Sequence, residues 1–310
     1  MENKGDYFIL IHAVTFVSIQ SRKEKIMRVW FITGASRGFG ALIAQEALDA
    51  GDAVVATARN PETVSAKFGN HPNLLAVALD VTSEVQANAA AEQAIKRFGK
   101  IDVLLNNAGF GLLGAVEEAT SAEIEKLYAT NVFGLLKVTR AVLPHMRRQR
   151  SGHVINISSI GGYMSYPGWG VYCSTKFAVE ALSEAFSAEL QPLGVKVTVV
   201  EPGFFRTDFL DESSLVVSPS VIPDYNDTPA GAMRAFAGDH NHAQPGDPAR
   251  LAKAMITLAN APNPPLRMPF GSDTVAAIES KNASVAEELA AWRDLAISTD
   301  FPEDAGAHSA

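Results

Sequence analysis

The sequence predicts an α/β protein built on one Rossmann-type, doubly wound parallel sheet with helices on both faces. Short runs of Val, Ile, Leu and Ala alternate along the chain with longer segments of helical period. These runs are apolar at successive positions rather than at alternate ones, which is typical of strands buried on both faces of a parallel sheet. With 47% hydrophobic and 19% charged residues, the chain has ample material for a full core and is not a disordered protein.

Strands and helices are predicted in alternation up to about residue 200. The predicted strands are Val29–Thr33, Ala53–Ala58, Leu74–Leu79, Val103–Leu105, Val154–Ile157 and Val195–Val200. The predicted helices are Ala41–Asp49, Ser83–Phe98, Ser121–Met146 and Tyr172–Leu190. Right-handed crossovers between such elements bring the carboxyl ends of the strands to one edge of the sheet, where ligands of these folds bind.

The last third of the chain has a different composition. Residues 211–247 are rich in Pro, Gly, Ser, Asp and His without helical period, and a loop of that length predicts a lid. Helical period returns at Pro248–Asn260 and Ser272–Ile297, which predicts a C-terminal helical extension over about 248–300. The polar tail after Phe301 is expected to fray.

Residues 1–26 are expected to be an appendage outside the fold, which would then occupy residues 27–310. The apolar stretch Phe8–Ile19 is shorter than the roughly 20 residues of a membrane span and contains His12 and Thr15. The acidic residues before it do not fit a secretory signal. A second methionine, Met27, directly precedes the first predicted strand. An ordered additional strand or helix in residues 1–26 remains the alternative.

Charge and cysteine content limit the partners and the compartment. A formal net charge of −8 without a basic stripe argues against binding to nucleic acid. A single cysteine, Cys173, excludes an internal disulfide and a Cys-rich metal site, and favours the cytoplasm. Asp239, His240 and His242 lack the spacing of a helical metal motif, so no metal is predicted.

A glycine-rich turn follows the first predicted strand and opens a helix. Its sequence, Thr33 to Gly40, places glycines where the backbone turns tightly and where amides can face a pyrophosphate. The predicted cofactor contacts in this turn are Gly34, Ser36, Arg37, Gly38, Phe39 and Gly40. A second glycine pattern, Gly109 to Gly114, follows the fourth strand and is expected to form a wall of the active site instead.

The end of the second strand predicts which cofactor binds. NAD-binding folds usually carry an Asp or Glu about 20 residues beyond the glycines. This sequence has Ala58 followed by Arg59, and Arg37 lies in the glycine turn. Two guanidinium groups without a carboxylate can bind a 2′-phosphate, so NADP(H) is favoured over NAD(H). The alternative is that both arginines are only solvated.

Together the motifs between about Val29 and Thr207 resemble the classical short-chain dehydrogenase/reductase family, especially its NADP-dependent ketoreductases and 17β-hydroxysteroid-dehydrogenase-like members. They comprise Thr-Gly-x-x-x-Gly-x-Gly from Thr33, Asn-Asn-Ala-Gly from Asn106, and Tyr-x-x-x-Lys from Tyr172, which lies 13 residues after Ser159. The resemblance implies that Ser159 orients the substrate oxygen, that Lys176 also binds the nicotinamide ribose, and that Asn131 supports a proton relay. The further cofactor contacts it implies are Asp80, Val81, Asn107, Ala108, Gly109, Tyr172, Lys176, Pro202, Gly203 and Thr207.

The Tyr172–Lys176 spacing suits acid–base chemistry. Residues four apart lie on one face of a helix, so an ammonium sits beside the phenol. Lowering a phenol pKa from about 10 to near neutrality takes about 4 kcal/mol, which one cation at about 4 Å supplies in an effective dielectric of about 20. We therefore expect Lys176 to lower the pKa of Tyr172. Asn131 and Gly134 lie inside a predicted helix that neither favours, which suggests a kink with a functional reason.

The sequence thus predicts hydride transfer between NADP(H) and a hydrophobic secondary alcohol, ketone or aldehyde. The expected pocket is mostly apolar. Its predicted lining is Phe110, Leu112, Leu113, Tyr163, Tyr166, Trp169, Phe204 and Phe205. A non-catalytic NADP-sensing module is the alternative, although a sensor needs no proton donor. An epimerase or dehydratase of the extended branch is disfavoured by the glycine spacing. The resemblance also implies a homodimer through residues 121–146 and 172–190, with the alternative that the C-terminal extension covers this surface.

Overall fold

The computed structural model describes residues 27–239 and 241–301, and the predicted appendage at 1–26 lies outside them. Seven parallel strands form the main sheet in the order β3-β2-β1-β4-β6-β7-β9, and β5 pairs with β8 in a small second sheet. The strands are β1 Val29–Ile32, β2 Ala53–Ala58, β3 Leu74–Ala78, β4 Val103–Asn106, β5 Gly111–Leu113, β6 Gly152–Ile157, β7 Val195–Pro202, β8 Leu215–Val217 and β9 Arg267–Phe270.

Helices cover both faces of the main sheet, which confirms the predicted fold class. They are α1 Gly38–Asp49, α2 Glu62–Phe68, α3 Glu84–Phe98, α4 Ser121–Tyr128, α5 Leu135–Gln149, α6 Ile160–Tyr163, α7 Gly170–Leu190, α8 Pro229–Asp239, α9 Pro248–Asn260 and α10 Ser272–Ile297.

The core has two layers because successive residues of each central strand point to opposite faces. In β1, Val29 and Phe31 pack towards α3 and α5, whereas Trp30 and Ile32 pack towards α1 and α9. All four side chains are buried. This is why the strand carries no polar position and why the run is apolar throughout.

The helix predicted over 121–146 is interrupted by one turn of π-helix. Residues Ala129–Gly134 form this turn between α4 and α5, and it contains both Asn131 and Gly134. A Cβ at Gly134 would lie 2.7 Å from Val81 Cγ2, so only glycine lets the turn approach the end of β3 this closely. The predicted kink is therefore present, in the form of a π-bulge.

The segment predicted as a lid without helices carries more structure than expected. It contains β8, α8 and short 3₁₀ turns, and β8 pairs in parallel with β5. The reason is that β8 joins residues about 100 positions away, as in the pairing of Gly111 with Leu215, which no local period can reveal. As predicted for a lid, the segment lies at the carboxyl edge of the main sheet, where several of its residues line the cleft described below.

No helix within residues 27–239 and 241–301 combines the length and the hydropathy that a membrane crossing requires.

Candidate active site

A cleft of about 1100 Å³ opens at the carboxyl ends of the parallel strands. The predicted site residues that line it are Gly34, Ser36, Arg37, Gly38, Phe39, Arg59, Asp80, Val81, Asn107, Ala108, Gly109, Ser159, Tyr172, Lys176, Pro202, Gly203 and Thr207. Gly40 and Asn131 lie just behind this surface. The topology explains the convergence, since β1, β2, β4, β6 and β7 all end at this edge.

The glycine turn is shaped for close approach by a ligand. Gly34 and Gly38 have φ values of 66° and 53°, in the left-handed region that favours glycine. A Cβ at Gly40 would lie 2.4 Å from the Gly34 carbonyl oxygen, so the turn can only form with glycine there. Among the described residues, no side chain caps the first turn of α1, which leaves its amides facing the cleft. Such a cradle fits a pyrophosphate.

The Asn-Asn-Ala-Gly loop holds this turn in place. Asn107 Nδ2 donates hydrogen bonds to the carbonyl oxygens of Thr33 at 2.9 Å and Gly34 at 3.1 Å. In return, Thr33 Oγ1 accepts from the backbone amides of Asn107 at 2.9 Å and Ala108 at 3.0 Å. Four hydrogen bonds between two loops fix the floor of the cleft before any ligand binds.

Two arginines and one aspartate line the cleft just beyond the ends of β1, β2 and β3. Arg37 and Arg59 line it, and the Arg37 guanidinium donates to the Ser213 carbonyl of the lid segment. Asp80 Oδ1 accepts hydrogen bonds from the Thr82 hydroxyl at 2.7 Å and amide at 2.9 Å. These bonds, with smaller help from the Arg59 charge, lower the pKa of Asp80 below its ordinary value. The cleft therefore offers positive charge beside the ionised, well-bonded carboxylate of Asp80, and its lining contains two further acids, Asp208 and Glu212.

Ser159, Tyr172 and Lys176 meet at the inner end of the cleft. Ser159 lies two residues beyond β6, at the N-cap of α6. Its Oγ accepts from the Gly161 amide at 3.0 Å, and its hydroxyl contacts the Tyr172 phenol. Lys176 Nζ lies 5.8 Å from the centre of the Tyr172 ring and donates to the Ile157 carbonyl at 2.9 Å. The helical spacing of the two α7 residues thus places cation and phenol side by side, as the sequence predicts.

The expected lowering of the Tyr172 pKa is wrong for this structure. Burial raises the pKa of Tyr172 above its ordinary value, and the Ser159 hydroxyl only partly opposes this. Burial also lowers the pKa of Lys176 to about 8, against an opposing effect of Glu180. Both shifts have one cause, because a water-poor site disfavours phenolate and ammonium alike. The Tyr172–Lys176 spacing shows that the cation lies beside the phenol, but it does not show that both groups are buried away from water.

Asn131 supports the wall opposite Tyr172. Its Nδ2 donates to the Phe110 carbonyl at 3.0 Å and its Oδ1 accepts from the Phe110 amide at 3.1 Å. A third contact joins Nδ2 to the Thr175 hydroxyl at 3.2 Å. The side chain therefore ties the π-helical turn to the loop after β4 and to α7, and it does not itself line the cleft.

The substrate end of the cleft is mainly apolar, with one change from the predicted lining. Phe110, Tyr166, Trp169, Phe204 and Phe205 line it as expected. Leu112 and Leu113 instead lie in the buried layer beneath, and Tyr163 donates to Asn282 Oδ1 of α10 at 2.6 Å. The lid and the 3₁₀ turn just before it, Asp208–Leu210, add residues that sequence reasoning missed because α8 and this turn were not foreseen. These are Phe209, Leu210, Val216 and Met233.

The C-terminal extension also reaches the site. Asp273 Oδ2, in the first turn of α10, accepts from the Phe204 amide at 2.7 Å. A Cβ at Gly203 would lie 2.2 Å from Asp273 Oδ1, so the Pro202-Gly203 turn is closed by this carboxylate. The one sequence signal for this contact is that Asp273 lies in the first turn of the predicted helix Ser272–Ile297, where carboxylates commonly accept from backbone amides.

Comparison with known proteins gives the family. The family model for short chain dehydrogenases matches residues 28–215. The chain is 37% identical to oxidoreductase BOA17 of Botryotinia fuckeliana, over 88% of this chain and 99% of the relative. It is 38% identical to 3-ketodihydrosphingosine reductase of Bacteroides thetaiotaomicron, over 79% and 88%. A short-chain dehydrogenase structure from Streptomyces avermitilis has a TM-score of 0.81 at 40% identity, over 89% and 100%.

Related structures hold either nicotinamide cofactor. ElxO, 28% identical with a TM-score of 0.67 over 81% of this chain and 100% of its own, has NADP bound. The 3-ketoacyl-(acyl-carrier-protein) reductase of Brucella melitensis, 25% identical with a TM-score of 0.65 over 78% and 96%, holds NADH. Motifs, sheet order, cleft and these matches agree, and the chain belongs to the short-chain dehydrogenase/reductase family of oxidoreductases.

Proposed function

We propose that this protein is an NADP(H)-dependent carbonyl reductase and alcohol dehydrogenase for hydrophobic ketones, aldehydes or secondary alcohols. The observation that carries the proposal is the position of Tyr172. Its phenol lies between Ser159 and Lys176 at the point where the polar cofactor end of the cleft meets the apolar end. A proton donor at such a boundary serves a reaction in which a carbonyl carbon receives hydride and its oxygen receives a proton.

The bound cofactor supplies or accepts the hydride. In the reductive direction, the hydroxyls of Ser159 and Tyr172 hold the substrate oxygen, and Tyr172 gives it a proton as negative charge develops. Because burial keeps the phenol protonated at neutral pH, Tyr172 is ready to act as an acid. Lys176 stabilises the phenolate that remains and is placed to bind the ribose. In the oxidative direction, the same phenolate takes the proton back.

The cofactor preference rests on charge at the adenosine end. Arg37 and Arg59 line the cleft where Ala58 leaves no carboxylate to repel a 2′-phosphate. Asp80, which also lines the cleft, is engaged with Thr82. We assign Arg59 as the main 2′-phosphate ligand and Arg37 as the second, since paired guanidinium groups are the usual partners of phosphate.

The apolar lining supports a bulky hydrophobic substrate. Aromatic side chains from the β4 loop, from the segment before α7 and from the segment between β7 and the lid line the space in front of Tyr172. The relative named as a 3-ketodihydrosphingosine reductase supports a ketone as the reacting group. A purely NADP-sensing role is the second candidate, and the buried acid–base set disfavours it because sensing requires no proton transfer.

A substrate panel with paired tyrosine variants tests the proposal. Ketones, aldehydes, steroids and quinones are assayed with NADPH and NADH. For any substrate reduced, we expect Tyr172→Phe to lower kcat by about 100- to 10,000-fold while NADPH affinity changes less than about threefold. Tyr166→Phe, also in the cleft, is the matched control and should retain most activity. Unchanged turnover in Tyr172→Phe would overturn the mechanism, and tight NADPH binding without turnover would favour the sensor.

Assembly and location belong to the same proposal. Phe133 and Phe177 are exposed, and the ring of the half-buried Tyr128 lies 6.4 Å from that of Phe133. This aromatic patch lies on the two helical segments through which the family resemblance implies pairing. We propose a homodimer through this patch, which light scattering of Phe133→Glu can test by loss of the dimer. A single buried cysteine is compatible with action in the cytoplasm.

A further inference from the structure

A cluster of carboxyl groups is buried behind the catalytic helix. Glu180 follows Lys176 by one helical turn, and its side chain is 8% exposed. It faces Glu201 of β7, whose side chain is fully buried. Arg267 of β9 lies beside both, with its Nε 3.4 Å from Glu180 Oε2 and 3.6 Å from Glu201 Oε1. None of these groups belongs to the cofactor or substrate contacts described above.

The charges in this cluster do not balance if every acid is ionised. Arg267 also pairs with Glu184, so three carboxylates would surround one guanidinium. Within the described residues, none of the four carboxyl oxygens of Glu180 and Glu201 accepts a well-aligned hydrogen bond. Two facing carboxyl groups in such a place relieve both problems by sharing one proton. Burial, followed by the charge of Glu180, raises the pKa of Glu201 to about 8, which agrees with that state.

The cluster is in contact with the catalytic segment. A Cβ at Gly162 would lie 2.3 Å from Ser158 Oγ and 3.1 Å from Glu180 Oε1, so glycine leaves room for Ser158 and Glu180 to pack together. Ser158 directly precedes Ser159, and its amide donates to the Val200 carbonyl at 2.7 Å, next to Glu201 in β7. The pair therefore lies between the strand ends that carry the proposed catalytic serine and the helix that carries Lys176.

We propose that Glu180 and Glu201 hold one proton between them and that their single shared negative charge keeps Lys176 protonated beside Tyr172. The pair touches neither substrate nor cofactor, so both residues are positioning residues. The inference rests on the proposed function for its catalytic consequence only. The charged or titratable groups that face the pair are Lys176 and Glu184 from α7 and Arg267 from β9.

The electrostatic consequence has a definite sign. Glu180→Gln leaves the one shared charge on Glu201 of β7, whereas of the two acids it is Glu180 that acts on Lys176 across one helical turn. Moving the negative charge away from Lys176 and Tyr172 favours the deprotonated form of each, so both pKa values fall. For a buried unit charge about one helical turn away, a shift of about one pH unit is expected. A purely structural role would lower activity without moving its pH dependence.

The first test follows Lys176 directly in the unliganded protein. Lysine labelled with ¹³C at Cε is titrated by NMR, and the signal missing in Lys176→Met assigns the residue. We expect Lys176 to titrate near pH 8 in the parent and about one pH unit lower in Glu180→Gln. Glu184→Gln, one turn further along α7 on the same arginine but 55% exposed, is the matched control and should leave the titration in place.

Two further variants test the shared proton. If the pair carries one negative charge, Glu201→Gln leaves that charge on Glu180 and changes the Lys176 titration by less than about half a pH unit. The double variant removes the charge and should lower the titration at least as far as Glu180→Gln. An unchanged titration in Glu180→Gln would overturn the proposal, and an equal fall in Glu201→Gln would show two ionised carboxylates. Should Glu180→Gln fail to fold, Glu180→Asp should give a smaller shift of the same sign.

The pH dependence of enzyme activity is an independent test of the same proposal. With a confirmed carbonyl substrate, the alkaline limb of kcat/KM for reduction should move with the NMR titration in each variant. A shift of the Lys176 signal in a protein that reduces no carbonyl compound would reject the proposed function and leave the role of the pair intact. A working reductase whose Lys176 signal is the same in parent and Glu180→Gln would reject the pair and leave the function intact.

Discussion

At the scale of single residues, desolvation decides the chemistry of Tyr172. Burial holds its phenol protonated and at the same time brings the pKa of Lys176 down to about 8. The unliganded site is therefore prepared to donate a proton rather than to accept one at neutral pH. Reduction should be the easier direction near pH 7, whereas oxidation should require a more alkaline medium in which the phenol loses its proton.

Arg59 is the residue that we expect to give NADPH its higher affinity over NADH. Arg59→Ala should weaken NADPH by about 10- to 150-fold, since a charge-assisted contact contributes about 1.5 to 3 kcal/mol. NADH lacks the 2′-phosphate, so its affinity is the internal control and should change little. Fluorescence titration with both cofactors measures this. If Arg59→Ala weakens NADPH and NADH equally, Arg59 does not bind the 2′-phosphate. If the parent binds NADH more tightly than NADPH, the proposed preference for NADP(H) is wrong.

At the scale of elements, Glu118 fastens the lid to the body. Its buried carboxylate accepts from the Ala115 amide at 2.7 Å, the Ile222 amide at 2.9 Å and Arg234 Nη1 of α8 at 2.8 Å. Burial raises the pKa of Glu118, but these donors outweigh it and the net shift is downward. One carboxylate therefore joins the turn after β5 to two separate parts of the lid.

Loosening this anchor should affect substrate binding more than chemistry. Glu118→Gln keeps one carbonyl acceptor but loses the ionic contact with Arg234, and we expect KM for a hydrophobic substrate to rise about tenfold with a smaller change in kcat. Glu117→Gln is the matched control, because Glu117 is exposed and accepts a hydrogen bond from the Tyr225 hydroxyl of the lid. Steady-state kinetics on both variants measure this effect. Equal KM values for Glu118→Gln and Glu117→Gln would show that Glu118 does not anchor the lid.

The contact between β6 and β7 predicts how acid affects stability. His153 is buried and its Nε2 lies 2.9 Å from Thr198 Oγ1. Burial, with smaller effects of Lys196 and Arg28, lowers its pKa from 6.5 to about 3. In the unfolded chain, His153 therefore binds a proton below about pH 6.5. In the folded chain, it binds that proton only when the pH approaches 3. The stability due to neutral His153 is complete above about 6.5 and is lost as pH falls towards 3.

Urea unfolding at pH 7 and pH 5 measures this effect. We expect His153 to account for a loss of about 2 kcal/mol in the free energy of unfolding between these two values. In His153→Gln the loss should shrink by that amount, whatever the absolute stability of the variant. The same slope in His153→Gln and parent would show that His153 accepts its proton in the folded state.

At the scale of the whole molecule, sequence predicts what is locally periodic and misses what is assembled from distant segments. The strands at Ala53–Ala58 and Val195–Pro202 were foreseen to within two residues because their apolar runs are long. Arg267–Phe270 was missed, since it has few apolar residues and contains a proline. The motif residues of the cleft were foreseen, whereas the Glu180–Glu201 pair depends on two elements whose contact no spacing records.

The boundary of the fold gives the last prediction. β1 begins at Val29, and every cleft-lining residue in the part of the chain that the structure describes follows it, starting with Gly34. Deleting residues 1–26 should therefore leave activity and Tm nearly unchanged, within about 5 °C, which corresponds to roughly 1 to 2 kcal/mol in a chain of this size. Deleting residues 1–31 is the control and should abolish folding, because it removes Trp30 and Phe31 from the two core layers. Calorimetry on both truncations measures this, and a larger fall in Tm after removing residues 1–26 would show that the segment packs against the fold.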